Sequence, residues 1–266
     1  MKDGRTKSSV GERGRTRLGW IAAILLVCAR PGSPALAQSL PDRVAAVRDG
    51  HVRFSFEARP GVCGNGRNIS TSRSTSDWEP WCQPGPVRVA VERRNGQPVD
   101  LDTYVGGRWR ARQDAVTDLG EVEPADAVAY LLSVARDGKG RVAERAILPI
   151  ALADHETWPQ LLTLARDGSR PRGVRKSAVF WLGQAAGDAA VEGLTDIVTG
   201  PEDDVEVKKS AIFALSQLRQ GGGVEPLIQI ARTNRDPRLR KQAIFWLGQS
   251  EDPRAIALFE ELLTKR

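Results

Sequence analysis

The apolar residues of this chain follow one period up to residue 105 and another after it. Up to that point apolar and polar residues alternate in short runs, which predicts half-buried strands at Val52–Ala58, Val87–Val91 and Val99–Val105. Asn95 and Gly96 predict a hairpin turn between the last two strands. A short helix is predicted at Pro41–Arg48. Residues 38–105 are therefore expected to form a small β-rich domain.

The rest of the chain repeats itself with a helical period. Five segments align without gaps on a central alanine, and these alanines are 31 to 33 residues apart: Ala115, Ala146, Ala178, Ala211 and Ala243. Such a period indicates a solenoid of helix pairs. The aligned segments are the second helices, the first of them at Gln113–Gly120. The first helices are predicted at Ala125–Arg136, Trp158–Arg166, Ala189–Thr199, Val224–Arg232 and Pro253–Thr264.

Two of the aligned segments follow the string Asp-x-x-(Val/Leu)-(Arg/Lys)-x-x-Ala-(Val/Ile)-x-x-Leu-Gly: Asp236–Gly248 is the clearest copy, and the segment that begins at Asp204 follows it. With this string, residues 109–266 resemble the HEAT-repeat family in its short, phycobilisome-lyase-like form. The resemblance implies a mainly α fold, a right-handed α-solenoid of about five HEAT-like repeats over residues 106–266. A small disulfide-linked β-rich domain would precede it. Phycobilin lyases attach a chromophore, but no residue pattern here indicates a chromophore site, and no cofactor is predicted.

The first 37 residues are typical of a secretory signal peptide. A basic stretch is followed by the apolar run Leu18–Ala29 and by the small-residue site Ala35-Leu36-Ala37. The apolar run is shorter than the roughly 20 residues of a membrane-spanning helix. Cleavage before Gln38 would give an exported, periplasmic or extracellular protein without a transmembrane span. An uncleaved N-terminal anchor is the alternative.

Charge and cysteine content agree with export. The net charge is +6, but residues 1–37 hold seven basic and two acidic residues, which leaves 32 basic and 31 acidic residues after cleavage. A nearly neutral mature chain argues against a nucleic-acid partner. Cleavage also leaves two cysteines, Cys63 and Cys82, and an even pair in an oxidising compartment predicts a disulfide. A metal site is the weaker alternative, because the sequence has no Cys-x-x-Cys motif and only two histidines.

No constellation of catalytic residues stands out. His51 and His155 are the two histidines, and neither lies in a recognisable catalytic motif. The loop Gly61–Gly66 lacks the Gly-Lys-(Ser/Thr) ending of a phosphate-binding loop. We therefore expect a protein that is not an enzyme and holds no metal.

Three basic residues, Arg175, Lys208 and Arg240, occupy equivalent positions in successive repeats and are called the basic ladder below. A column of positively charged side chains is suited to binding an anionic ligand. The resemblance to HEAT repeats implies a structural role instead, in which this position pairs with the aspartate of the preceding turn. Those aspartates are Asp204 and Asp236.

A second periodic pattern lies on the opposite side of the second helices from the central alanine. At 100° per residue, positions two before, two after and six after the alanine share this side. They are Lys176, Phe180 and Gln184; Lys209, Phe213 and Gln217; and Lys241, Phe245 and Gln249. In HEAT solenoids the second helix lines the concave surface, so the resemblance implies columns of Lys, Phe and Gln across a groove. Alternatively, the phenylalanines are buried between repeats, with Trp181 and Trp246 packed inward.

These observations predict an exported, non-catalytic scaffold that binds another protein or an extended peptide through its concave face. Thr117 and Leu148 replace Phe in the first two aligned segments, so the binding face is expected in the last three. An enzyme or enzyme-accessory subunit with an unrecognised active site is the alternative, and a structural envelope component is a third possibility. A closed cleft with a perturbed carboxylate or histidine would favour the enzyme, and an open groove the binder.

Overall fold

The computed structural model describes residues 38–71, 81–109, 115–202, 204–218 and 221–264. Residues Gln38–Arg266 form one compact unit. The signal peptide predicted at residues 1–37 lies outside the described residues and stays a prediction. In the described part of the chain, no helix is long and apolar enough to cross a membrane.

The N-terminal part of the described chain is rich in β-structure, as predicted. Its elements are α1 (Leu40–Ala45), β1 (Gly50–Phe56), β2 (Cys63–Asn65), β3 (Asn68–Ser70), β4 (Gln83–Pro84), β5 (Val87–Arg94), β6 (Gln97–Val105) and β7 (Val116–Glu121). One sheet has the order β6-β5-β1-β7 and is antiparallel except for the parallel pair β1–β7. A small antiparallel sheet has the order β3-β2-β4.

Local sequence signals explain how these strands are joined. The β5–β6 hairpin turns at Asn95 and Gly96, whose φ angles are 52° and 76°. Two positive φ values in a row define a type I′ turn, which the Asn-Gly pair adopts at low cost. The Cys63–Cys82 disulfide is confirmed, with 5.1 Å between the Cα atoms, and it joins β2 to the residue before β4. Loop and hairpin predictions therefore hold in this part of the chain.

The segment Gln113–Gly120 was predicted as a second helix, and this prediction is wrong. Its described residues enter β7, which pairs with β1 along the sheet edge. The edge of β1 offers unpaired backbone groups that a strand satisfies, whereas a lone eight-residue helix without a partner is marginal. The β-rich part therefore extends to Glu121, beyond the boundary that was predicted at residue 105.

The C-terminal part is helical and repetitive. Its helices are α2 (Pro124–Asp137), α3 (Arg141–Arg145), α4 (Ile147–Leu152), α5 (Trp158–Arg166), α6 (Arg172–Ala186), α7 (Val191–Thr199), α8 (Val205–Ser216), α9 (Val224–Thr233), α10 (Pro237–Leu247) and α11 (Pro253–Thr264). A 3₁₀ turn at Gly187–Ala190 joins α6 to α7. In the described residues, four successive pairs (α2 with α3–α4, α5–α6, α7–α8 and α9–α10) precede α11, where the sequence predicted five repeats.

The sheet and the helices share one hydrophobic core. Phe54 of β1 is fully buried, and its ring meets that of Tyr130 of α2 edge-on, with centroids 5.9 Å apart. Backbone hydrogen bonds continue the contact: the Arg59 N–H donates to the Leu152 carbonyl at 2.9 Å, and the Asp154 N–H to the Glu57 carbonyl at 3.0 Å. The β-rich part thereby covers α3 and α4, which contact β6 and β5.

Candidate functional site

The second helices α6, α8 and α10 stand side by side, and each begins at a defined residue. Asp204 and Asp236 cap α8 and α10: their carboxylates accept the backbone N–H of Glu206 at 3.0 Å and of Arg238 at 2.8 Å. Such caps satisfy donors that a helix N-terminus leaves without intrahelical partners. The Asp-x-x-(Val/Leu) part of the repeat string is therefore a helix-start signal.

The basic ladder binds carbonyl groups where the preceding first helices end. Arg175 Nε donates to the Ala165 carbonyl at 3.2 Å, Lys208 Nζ to that of Gly200 at 3.0 Å, and Arg240 to that of Asn234 at 2.8 Å. These groups include carbonyls that a helix C-terminus leaves unsatisfied. Arg175 is 5% exposed and also forms an ion pair with Glu202 of the next repeat unit. The ladder is structural, but the predicted pairing with Asp204 and Asp236 is wrong.

The nine predicted partner-binding residues lie on α6, α8 and α10 or directly after them. None is buried. Lys176, Lys209 and the rings of Phe180 and Phe213 are half-buried, as is Gln184, while Lys241, Gln217 and Gln249 are exposed. Phe245 is 54% exposed. The shared surface that they form is called the repeat face below.

The phenylalanines form a continuous strip with two tryptophans. In order, this aromatic row is Trp181, Phe180, Phe213, Trp246 and Phe245, with ring centroids 4.9, 6.1, 4.9 and 5.0 Å apart. Trp246 lies between Phe213 and Phe245, and both tryptophans are half-buried. The prediction that they pack inward is confirmed, because both lie against the hydrophobic core, but their rings also join the row. A helical wheel places each residue by angle alone, whereas a long side chain at the margin of a face reaches its neighbours on the next helix.

A small-residue contact brings the first two rings of the row together. Where Trp181 stands in α6 and Trp246 in α10, α8 has Ala214. A Cβ atom on Gly183 would lie only 3.2 Å from the Cβ of Ala214, so α6 and α8 approach closely here. The rings of Phe180 and Phe213 are stacked, with their planes 8° from parallel.

Charges follow one edge of the repeat face, toward the N-terminal ends of its helices. Lys209 Nζ lies 2.9 Å from Glu206 Oε1. This hydrogen bond and ion pair lower the pKa of Glu206, and the charges of Lys176 and Arg172 lower it further. Among the described residues, Lys176 and Lys241 have no carboxylate within ion-pair distance. The edge therefore keeps a positive excess.

The opposite edge of the face carries amides and adjoins the β-rich part. Gln184 and Gln217 line a pocket of about 240 Å³ whose far wall includes Arg59 and Thr71. A second pocket, of about 410 Å³, lies where Ser177 of α6 meets Leu148 and the β-rich part. Leu148 is the counterpart of the phenylalanines in the preceding pair. Because the β-rich part covers that pair, the open face begins at α6.

The two histidines differ greatly in exposure. His51 is buried in β1, whereas His155 is exposed in the loop between α4 and α5. The carboxyls whose pKa is lowered lie at helix starts, in one turn and in the edge strand β7, and each is held by local hydrogen bonds. Within the described residues, no three His, Cys, Asp or Glu side chains are grouped as metal ligands would be.

Comparison with known proteins supports the repeat assignment. Residues 191–266 match the family model for HEAT repeats, which confirms the resemblance predicted from the sequence. One similar solved structure is the complex of CpcE and CpcF of phycocyanin lyase from Nostoc sp. PCC7120. It is 19% identical, has a TM-score of 0.41, and the match covers 53% of this chain and 91% of that one. No curated protein matches the chain.

Proposed function

We propose that this protein is an exported, non-catalytic scaffold that binds another protein through the repeat face. In this proposal α6, α8 and α10 line the concave side of a right-handed α-solenoid. The packing of the helices supports the curvature: the second helices contact one another extensively, whereas the first helices α7 and α9 make few contacts with each other. Helices that crowd together lie on the inner side of a curved array.

The aromatic row is the observation that carries the proposal. Five large rings run across three helices without being buried, and Phe245 is more than half exposed. A contiguous, partly exposed aromatic strip with a polar rim is typical of interaction sites, and Trp and Phe are enriched at the centre of protein interfaces. Lys and Gln supply the rim on either side.

Two observations support export. The leader has the order of a signal peptide, and the Cys63–Cys82 disulfide suits an oxidising compartment. N-terminal sequencing of the protein recovered outside the cytoplasm should begin at or near Gln38. A recovered chain that still carries residues 1–30 would favour a retained anchor.

A charge-reversal experiment tests the binding function. In one variant Lys176, Lys209 and Lys241 are replaced by Glu; in a matched control the exposed Arg48, Arg136 and Lys139 are replaced by Glu. Substitutions at the exposed positions should each change stability by no more than about 0.5 kcal/mol, and Lys209→Glu also removes the ion pair with Glu206. Proteins captured from an envelope extract by the wild type and the control should be lost with the face variant. Identical capture by all three proteins would refute the proposal.

A further inference from the structure

A pocket of about 410 Å³ lies where the repeat face meets the β-rich part, and no residue of the aromatic row lines it. Its volume is within the range of about 300–1,000 Å³ that is usual for ligand-binding pockets. This pocket is called the junction pocket below. Its walls are formed by Ile69 of β3, Leu101 and Thr103 of β6, Arg141 of α3, Leu148 of α4 and Ser177 of α6. The β-rich part and the helices therefore enclose it together.

Three guanidinium groups and two carboxylates also face the junction pocket, and two of the guanidinium groups are already paired. Arg67 lies 2.5 Å and Arg145 3.7 Å from the carboxylate oxygens of Asp102. These two ion pairs neutralise Asp102. Among the described residues, no carboxylate lies within ion-pair distance of the third guanidinium group, that of Arg141. Arg141 is therefore available to an anionic ligand.

The second carboxylate of the pocket, Glu144, is directed at a helix end although it shares α3 with Arg141. A Cβ atom on Gly173 would lie only 2.6 Å from Glu144 Oε2, so this carboxylate lies against the first turn of α6. The N-terminal end of a helix carries a partial positive charge that favours a carboxylate there. No side chain caps α6 at its N-terminal residue. The negative charge of Glu144 therefore serves α6, and Arg141 stays without a counterion in the described part of the chain.

The junction pocket also offers two hydroxyl groups and an apolar floor. Thr103 is 8% exposed and Ser177 is half-buried, and neither hydroxyl has a hydrogen-bond partner within the residues that the structure describes. A ligand oxygen can supply the hydrogen bonds that such hydroxyls lack. The apolar floor consists of Ile69, Leu101 and Leu148. A free guanidinium group beside hydroxyls and an apolar floor suits a carboxylate that is joined to an apolar side chain.

The position of the pocket favours the end of a polypeptide over a free acid. Leu148 has the place in its repeat unit that Phe180 has in the next, so the apolar floor lies at one end of the column of phenylalanines. The strands β3 and β6 form the wall beyond it. A partner segment that follows the repeat face into this pocket meets that wall and ends there. Its last residue brings an α-carboxylate and a side chain together.

We propose that the junction pocket binds the C-terminal residue of a partner protein and that this residue has an apolar side chain. Capture of a chain's terminal carboxylate is a recurring mode of peptide recognition. The α-carboxylate lies beside Arg141 and accepts hydrogen bonds from the hydroxyls of Thr103 and Ser177, and the side chain lies on the apolar floor. This inference rests on the proposed function, because the partner segment reaches the pocket along the repeat face.

Four small probes test this chemistry. They are N-acetyl-Ala-Ala-Leu with a free carboxylate, the same peptide as its C-terminal amide, N-acetyl-Ala-Ala-Ser with a free carboxylate, and isocaproate, an acid with the side-chain skeleton of leucine. Each is titrated into the isotope-labelled, purified chain, and its affinity is measured from the shifts of backbone amide signals in nuclear magnetic resonance spectra. The leucine peptide with a free carboxylate should bind about tenfold more tightly than its amide. It should also bind about fivefold more tightly than the serine peptide and than isocaproate.

Matched variants locate the binding. Arg141→Gln should abolish the preference for the carboxylate over the amide. Lys139→Gln removes an exposed charge that does not line the pocket, and it should leave this preference unchanged. Ser177→Ala should weaken the leucine peptide about threefold, through the loss of one hydrogen bond. Circular dichroism of each variant verifies that the fold is retained.

Three results would each overturn the inference: equal affinity for the carboxylate and the amide, no binding of either leucine peptide, or a preference that survives in Arg141→Gln. Equal affinity for isocaproate and the leucine peptide would overturn it too, because the pocket would then hold a free acid rather than the end of a chain. If the leucine peptide fails while the charge-reversal variant of the repeat face still loses captured proteins, only this inference falls and the proposed function stands.

Discussion

The two parts of the molecule use similar side chains in opposite ways. In the β-rich part, charged and aromatic residues contact one another within the chain. The guanidinium carbons of Arg53 and Arg88 lie 5.0 and 5.3 Å from the ring centre of Trp109. In the repeats, aromatic and basic residues stand in rows on an open surface. Trp109 is thus held by cations within the chain, whereas Phe245 of α10 is 54% exposed. The proposed partner binding depends on this difference.

The junction between the two parts shows the same use of charge. Asp102 of β6 is 2.5 Å from Arg67 of the disulfide-linked region and 3.7 Å from Arg145 of α3. Arg145 also binds Asp100. The ion pair with Asp102, by hydrogen bonding above all, raises the pKa of Arg67. One strand therefore connects the small sheet to the first helix pair, and the cover over α3 and α4 is held in place.

The largest expected effect comes from breaking the shared core at Phe54. Phe54→Ala removes a fully buried ring between the sheet and α2, which should cost about 3–5 kcal/mol of stability. Because the core is continuous, the helical circular dichroism signal should melt earlier together with the near-ultraviolet signal. Phe245→Ala, at an exposed site, should cost less than about 1 kcal/mol. A helical transition that does not move in Phe54→Ala would mean that the two parts unfold independently.

An intermediate effect is expected where two glycines of the β-rich part approach each other. Gly106 has a φ of 59°, and a Cβ atom there would overlap the carbonyl oxygen of Gly64. Gly106→Ala should therefore cost about 2–4 kcal/mol, from left-handed strain and overpacking together. Gly120 has a similar φ of 73° but open space around it, so Gly120→Ala isolates the strain, about 1–2 kcal/mol. Equal midpoints in chemical denaturation for the two variants would show that the Gly64–Gly106 contact contributes nothing.

The same comparison explains which features could be predicted from the sequence. Helix pairs depend on local periodicity and caps, and α5 has the predicted bounds Trp158–Arg166. The Asn95-Gly96 turn is equally local. β7 was missed because its parallel partner β1 lies more than 60 residues away, and its residues are too exposed to show a hydrophobic pattern. Local signals predict an element only where the element is held by its neighbours in sequence.

The candidate face shows the same limit at the level of side chains. Helical spacing predicted that Phe180, Phe213 and Phe245 share a side, and they do. The sequence left open whether their rings are buried, because that depends on how closely α6 and α8 approach. The inward packing predicted for Trp246 is confirmed, but the sequence did not show that its ring also lies between Phe213 and Phe245. The distance between neighbouring helices, which periodicity within one helix does not give, decides which rings of the aromatic row contact each other.

The smallest expected effect concerns the caps that start the second helices. Asp236 accepts hydrogen bonds from the side chain and backbone N–H of Arg238, and these lower its pKa from 3.8 to about 2. A carboxyl whose pKa is lower in the folded state stabilises the fold above its unfolded pKa and loses this contribution as the pH falls through the folded pKa. Asp236→Asn retains a capping oxygen but not the titration.

We therefore expect the wild type to be slightly more stable than Asp236→Asn above pH 4, with the difference shrinking between about pH 4 and pH 2. Thermal melts of both proteins across this range, followed by the helical signal, measure it. Asp137→Asn, which changes an exposed carboxylate at the end of α2, controls for the loss of one negative charge. A difference that stays constant from pH 5 to pH 2 would mean that the Asp236 carboxylate is not held by Arg238. In that case the Asp236 cap would contribute little to the stability of the repeats.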